Sequence, residues 1–294
     1  MIGHNIFAGA FVDRSGHRRK DTAWLDAALA RDDAVFVPVW NDRCLASAEP
    51  HRTVLLARDD LAAFSSAMPI FLGLYQDRPA FAVGIDRAEN IPFTDHGDFH
   101  DLRYLGSVLP EDEANLVAHA RALVLWHQAQ KFCGRCGAAT LPSAGGNVRL
   151  CERESCATQV FPRVDPAIIV LVSRNDECLL GRQSSWPEGR YSTVAGFVEP
   201  DESLEDAVAR EVLEETDIQV EDVHYHSSQP WPFPASLMLG FHARATSVAI
   251  KLNDGELEDA QWFSRKELRS GFPKLPPRLS IARRLVEDWL NEAD

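Results

Sequence analysis

The sequence predicts an α+β protein in three parts: a β-rich N-terminal domain ending in a helix (residues 1–130), a small cysteine-bearing module (131–163) and a C-terminal domain mixing strands and helices (164–294). Three observations lead there. Short apolar runs broken by Asp, Pro and Gly fill the first part, two cysteine pairs with ligand-like spacing mark the second, and a strand, a loop and an acid-rich helix follow one another in the third.

The bulk properties agree. A chain of 294 residues and 32.7 kDa suits two domains and a small module. With 30 Lys and Arg against 44 Asp and Glu, the net charge of −14 disfavours a broad electrostatic footprint on nucleic acid. It leaves room for a local basic cleft, or for an anionic substrate held through metal. Residues Met1 to Val12 lack the anatomy of a signal peptide, and the longest aliphatic run, Ala167 to Val172, is far too short to span a bilayer. A cytoplasmic protein with no membrane partner is expected.

In the first part, Ala34–Val39, Thr53–Ala57, Ile70–Tyr75 and Ala80–Ile85 read as strands. From Glu111 to Gln130 the positions Leu116, Ala120, Leu123, Val124 and His127 recur at helical spacing, with His127 read as a satisfied interface side chain. Cys44 and Cys178 stand alone in apolar stretches, as buried free thiols do.

In the second part, Cys133-Gly-Arg-Cys136 is followed by fourteen residues and then Cys151-Glu-Arg-Glu-Ser-Cys156. A redox Cys-x-x-Cys has no need of a second pair, whereas tetrahedral zinc needs both. Four thiolates close the coordination sphere, so one Zn²⁺ per chain is expected, structural rather than catalytic.

In the third part, Ala167–Val172 and Glu177–Gly181 read as paired strands, and Tyr191–Val198 as a strand that passes through Gly, Pro and Asp into a helix from Ser203 to Glu215. Ser203 is the N-cap, with Asp206 completing an Ser-x-x-acid box. At about 100° per residue, Leu204, Ala207, Val208 and Val212 share one face, and Glu211 and Glu215 point between them. A solvated acidic face is the commoner reason for such a charge run. Carboxylates set into an apolar stripe, however, repel one another and raise each other's pKa unless a cation intervenes, and a divalent metal is the natural cation. Ser236–Ala243 reads as a further strand. The acidic stretch Asp254–Asp259 leads into Gln261-Trp262-Phe263, and an amphipathic helix runs from Ser280 to Asn291.

Gly196, five residues, Glu202, seven residues, Arg210-Glu211, Val212, one residue, Glu214-Glu215 and Ile218 together resemble the signature of the Nudix hydrolases. One position departs from it: Asp217 stands where the pattern has Gly, at a helix end where left-handed backbone is common. Asp tolerates that geometry better than most residues, so a small stability cost is expected rather than lost activity.

The segment Ser228-Gln-Pro-Trp-Pro-Phe-Pro-Ala-Ser236 interleaves three prolines with two aromatics. Taken alone, a rigid turn, a polyproline interaction loop and a base-stacking surface explain it equally well. Following the box, it is similar to the array of the NADH pyrophosphatases, as is the four-cysteine module, and the likeness covers roughly residues 99–294.

The resemblance implies an α/β/α Nudix sandwich with a mixed sheet, preceded by a zinc ribbon. It also implies hydrolysis of the pyrophosphate of NADH, NAD or related dinucleotides to a nicotinamide mononucleotide and AMP. By the same likeness, Glu211, Glu215 and Glu256, with the Ala195 carbonyl, hold Mg²⁺ or Mn²⁺, and Glu214 orders or deprotonates water. Glu202 and Arg210 brace the box around Gly196. Gln229, Pro230, Trp231, Pro232, Phe233, Pro234, Ala235, Ser236 and Ala282 contact the dinucleotide. Phe161 and Phe197 sandwich the base, Phe161 across a homodimer interface, and Arg103 reaches the substrate. Removal of an NAD cap from the 5′ end of RNA is the alternative main role. A non-catalytic dinucleotide sensor is the alternative of another class.

Overall fold

The computed structural model describes residues 4–64, 68–85, 91–253 and 255–292, and divides into two compact units. One comprises Phe7–Arg163 with Pro232–Ala235; the other comprises the chain before Phe7 with Val164–Trp231 and Ser236–Asp294. Among the described residues no helix is long and apolar enough to cross a membrane.

In the first unit the chain runs through β1 (Val12–Asp13), α1 (Thr22–Leu29), β2 (Val35–Trp40), β3 (Arg43–Ala46), β4 (Ile70–Tyr75), β5 (Arg78–Ile85), β6 (Asp98–His100), α2 (Leu102–Val108) and α3 (Glu111–Ala129). Six strands form one sheet in the order β1-β4-β5-β2-β3-β6, with β2 and β5 parallel and the other pairs antiparallel. Its core gathers Phe36, Leu45, Phe71, Phe81 and Val83. The run Thr53–Ala57 does not become a strand. Because β3 pairs with β2 only at Val39 and Trp40, Phe36 is left to bond Leu56 in both directions at 2.9 and 3.0 Å, an isolated bridge.

Helix α3 buries Leu116, Ala120, Leu123 and Val124 as the spacing predicts. His127 is satisfied: its Nε2 is 2.6 Å from the Gly146 carbonyl and its Nδ1 accepts from Arg149 at 2.8 Å. Burial pushes its pKa down, in keeping with a neutral ring. The ribbon follows as β7 (Thr140–Ser143), β8 (Val148–Cys151) and β9 (Gln159–Val160), a three-stranded antiparallel sheet.

The second unit contains β10 (Asp165–Arg174), β11 (Glu177–Arg182), β12 (Val194–Phe197), α4 (Leu204–Thr216), β13 (Val220–Trp231), β14 (Ser236–Ala245), β15 (Asp259–Ser264), α5 (Arg265–Arg269) and α6 (Ile281–Asn291). The sheet order is β13-β14-β10-β11-β15, with β12 also on β10; β10 and β14 run parallel and the rest antiparallel. Side chains alternate across β10, as strand geometry requires. Ile168, Val170 and Val172 meet Ala207, Val208 and Val212 of α4, while Ile169 and Leu171 meet Ile281, Leu285 and Trp289 of α6. This is the expected α/β/α sandwich over a mixed sheet.

Cys44 and Cys178 are fully buried free thiols, and burial pushes both up to about 12. The predicted strand Tyr191–Val198 is shorter than expected, because Tyr191 turns away to bond the Lys274 carbonyl at 3.0 Å and β12 begins at Val194. Residue 254 of the predicted acidic stretch lies outside the described residues.

Candidate active site

The box helix starts as its sequence dictates. The Ser203 hydroxyl accepts from the Asp206 amide at 3.1 Å and the Asp206 carboxylate accepts from the Ser203 amide at 3.3 Å, closing the capping box. It ends at Asp217, whose φ of 61° is the left-handed conformation that the pattern's Gly would adopt freely. Between those ends the apolar stripe is fixed to the sheet, and this aims the carboxylates.

Glu215 is buried at 3% exposure, and Glu211 is 13% exposed at its side chain, against 55% for Glu214. The Glu211 carboxylate lies directly on the backbone of β12. A Cβ built on Gly196 would stand 2.0 Å from Glu211 Cδ, so only glycine lets strand and carboxylate approach this closely. Ala195, the backbone ligand implied by resemblance, is the preceding residue of the same strand.

Arg210 holds the acids in register. Its guanidinium donates to Glu202 at 2.5 and 2.9 Å, to Glu211 and Glu214 at 3.0 Å each, and to the Phe197 carbonyl at 2.9 Å. Glu202 also accepts from the Glu199 amide at 2.9 Å. The Arg210 hydrogen bonds hold the Glu202 carboxyl down at about 2. Glu211 shifts the other way: burial raises its pKa, Arg210 opposes the rise, and the charges of Glu214 and Glu256 add to it. Glu202, Glu211 and Glu214 share this one arginine, and hard carboxylate oxygens gathered in this way fit a divalent cation.

The cysteines form the zinc centre. Cys133 and Cys156 sulfurs are 3.9 Å apart, Cys136 and Cys151 sulfurs 3.4 Å, and all four lie within 4.8 Å of one another. A zinc tetrathiolate with bonds of about 2.3 Å has sulfur–sulfur edges of roughly 3.8 Å. Among the described residues this is the only set of three or more His, Cys, Asp or Glu donors drawn so tight. The box carboxylates are more loosely spread, with Glu256 exposed on the loop before β15.

The Pro-aromatic array is a hairpin rather than a loop. Gln229, Pro230 and Trp231 end β13, opposite Met238, Leu237 and Ser236 of β14, so only Pro232–Ala235 form the turn. Prolines are admitted because β13 lies at the sheet edge. Gln229 is 1% exposed and its side chain is spent on backbone, donating to the Ile6 and Leu279 carbonyls at 3.1 and 2.8 Å and accepting from the Ile281 amide at 2.8 Å. Ala282, 1% exposed, is likewise in the core, with its amide capped by Ser280.

At the hairpin tip, the Arg103 guanidinium lies 4.0 Å from the Phe233 ring centroid, bringing two predicted residues together. Sequence reading missed Arg121 of α3, which donates to the Pro232 carbonyl at 2.5 Å and to the Asp42 carbonyl at 2.6 Å. Its only signal was a cation next to Ala120 in an apolar helix. Phe161 is 61% exposed in its unit and Phe197 59% exposed in the other.

Family models described as "NUDIX domain", "NADH pyrophosphatase-like rudimentary NUDIX domain" and "NADH pyrophosphatase zinc ribbon domain" match residues 162–289, 33–126 and 128–161. The chain is 37% identical over 301 residues to a Mycobacterium bovis protein named NAD-capped RNA hydrolase NudC, covering 95% of this chain and 92% of that one. It is 44% identical over 197 residues to the human NAD-capped RNA hydrolase NUDT12, 62% of this chain and 43% of that one. With the Arabidopsis thaliana protein named Nudix hydrolase 19, chloroplastic, the identity is 50% over 165 residues, 54% and 38% of the two chains. The chain thus spans less than half the length of the human and Arabidopsis relatives. Rudimentary domain, ribbon and box-bearing domain follow in the order the three models describe, and near full-length identity to the mycobacterial protein joins them: the chain belongs to the NADH pyrophosphatase family of zinc-ribbon Nudix hydrolases.

Proposed function

We propose that the protein hydrolyses the pyrophosphate bond of NADH, NAD and related dinucleotides, releasing a nicotinamide mononucleotide and AMP. The observation that carries this is the Glu211 carboxylate seated on Gly196, desolvated and crowded by Glu214 and Glu256. Glu211, Glu215, Glu256 and the Ala195 carbonyl would hold Mg²⁺ or Mn²⁺. When bound, such ions neutralise phosphate charge and lower the pKa of a bound water.

The chain's own residues do the rest. Glu214, exposed and held by Arg210 at 3.0 Å, would orient the attacking water and take its proton. Arg210 keeps Glu202 ionised and so fixes the loop between β12 and α4. Phe197 offers planar surface to a base, with Phe161 contributed across the homodimer interface, and Arg103 stacked on Phe233 offers a cation beside an aromatic. Gln229 and Ala282 act indirectly, by fixing the hairpin base and the start of α6.

The names of the mycobacterial and human relatives favour a second substrate, RNA carrying an NAD cap, whose cleavage breaks the same bond. Homodimer formation in the cytoplasm completes the proposal. The test is AMP release from NADH with Mg²⁺ or Mn²⁺, wild type beside Glu215→Gln. A loss of at least ~10²-fold is expected, as for removal of a principal electrostatic group. Undiminished turnover would overturn the assignment, and NADH binding without AMP release would point to a sensor.

A further inference from the structure

A cavity of about 560 Å³ lies outside the box, lined by Arg182, Glu188, Gly189, Tyr191, Phe272 and Lys274. Its volume is that of a site for a small organic ligand. Two walls are joined before any ligand arrives: the Lys274 amide donates to the Gly189 carbonyl at 2.8 Å and the Tyr191 amide to the Lys274 carbonyl at 3.0 Å.

The lining is specific in character. Phe272 is 56% exposed, yet it packs edge-on against Phe263 at 6.2 Å, and Phe263 packs against Tyr191 at 5.0 Å. A held aromatic with an open face loses little entropy when a flat ligand stacks on it. Arg182 is anchored by Glu258 and by the Trp186 carbonyl at 3.1 Å, while its Nε–H is buried without an acceptor. Among the described residues the exposed Lys274 ammonium has no ion-pair partner. An open ring face and an unpaired ammonium together match a base with its phosphodiester.

Arg182 stands opposite Asp259 in the β11–β15 register and pairs with Glu258, two residues beyond Glu256. Two residues span at most about 7 Å, so the cavity adjoins the segment that carries one of the proposed metal-binding carboxylates.

We propose that this cavity is a subsite for the nucleotide that follows the cleaved dinucleotide in a chain-extended substrate, its base on Phe272 and its phosphodiester at Lys274. The subsite rests on the pyrophosphatase reading above and adds to it a reason why a polynucleotide end would be favoured over the free dinucleotide. Neither Phe272 nor Lys274 belongs to the box, the hairpin or the ribbon.

The test compares kcat/KM for NADH and for an NAD-capped RNA of a few nucleotides, in wild type, Phe272→Ala and Lys274→Gln. Loss of one base–aromatic stack should lower the capped-RNA value by about tenfold, with the NADH value held, which also reports that the fold is intact. Equal losses on both substrates would overturn the subsite by placing these residues in the dinucleotide site or the fold. Indifference of both variants on both substrates would overturn it as well. Wild type inactive on both substrates would remove the underlying reading and the subsite with it, an outcome distinct from active wild type with indifferent variants.

Discussion

Gly196 and Glu211 touch: the carboxylate of a box helix rests on the bare Cα of a strand, where a methyl group would lie 2.0 Å from Cδ and from Oε1. The strand cannot retreat, since β12 is paired with β10 from Ala167 to Val170, and the helix is pinned by Val208 and Val212 in the core. Gly196→Ala should therefore displace Glu211. A fall in turnover of at least ~10²-fold is expected, the scale of losing a key electrostatic group, with a melting temperature lowered by a few degrees; normal turnover would show that the contact is incidental.

Protonation of Glu211 should oppose cation binding. Its folded pKa is raised by burial and by Glu214 and Glu256, so the carboxylate takes up its proton at a higher pH than an ordinary glutamate. Divalent-ion affinity should weaken as pH falls through that raised value, with protons released on binding. Titration calorimetry in buffers of different ionisation enthalpy measures this, and proton release should vanish in Glu211→Gln.

Glu202 should behave in the opposite sense. Its folded pKa, about 2, is below the unfolded value, so the pair with Arg210 stabilises the fold above the ordinary carboxylate range and that contribution is lost as pH falls from about 4.5 toward about 2. The melting-temperature gap between wild type and Glu202→Gln should be constant from about pH 7 to pH 5 and shrink by about pH 3. A gap that persisted there would mean the side chain acts by packing.

Asp217→Gly should stabilise without changing the rate. The residue is already left-handed at φ 61°, and a Cβ in that conformation costs up to about 1 kcal/mol relative to glycine. Denaturant midpoints should rise while AMP release stays the same. Altered turnover would mean that the helix end communicates with Glu215, two residues earlier.

Zinc should be required by the ribbon and dispensable to the chemistry. The four sulfurs leave no open coordination position, and in small metal modules binding free energy is folding free energy. Cys151→Ser should lose the single zinc measured by elemental analysis and expose residues 131–163 to protease. A protease-resistant, metal-free ribbon would refute a structural role.

Elements carrying their own local rule were legible from sequence. The capping box at Ser203, the stripe of α4, the helix Glu111–Ala129 and the cysteine spacing all specify geometry within a few residues, and the structure follows them. Thr53–Ala57 reads as a strand because composition reports propensity; whether it pairs depends on how much of the β2 edge β3 leaves free. The Pro-aromatic segment likewise shows its rigidity in sequence, and its division into two strand ends and a four-residue turn only in the register of β13 on β14.

By itself the sequence determined which residue types are candidates for the site: four box glutamates, two arginines, four thiols and an array of prolines and aromatics. Tertiary structure alone decided what each of them touches. Gln229 is turned inward to bind the Leu279 and Ile281 backbone, Arg121 on a distant helix fastens Pro232, and Glu211 is brought onto Gly196 by the packing of α4 on β10 and β12. The reason is physical: helix periodicity and metal-ligand spacing act over a few residues, whereas burial and the approach of charges depend on contacts between segments far apart in the chain, which no local pattern encodes.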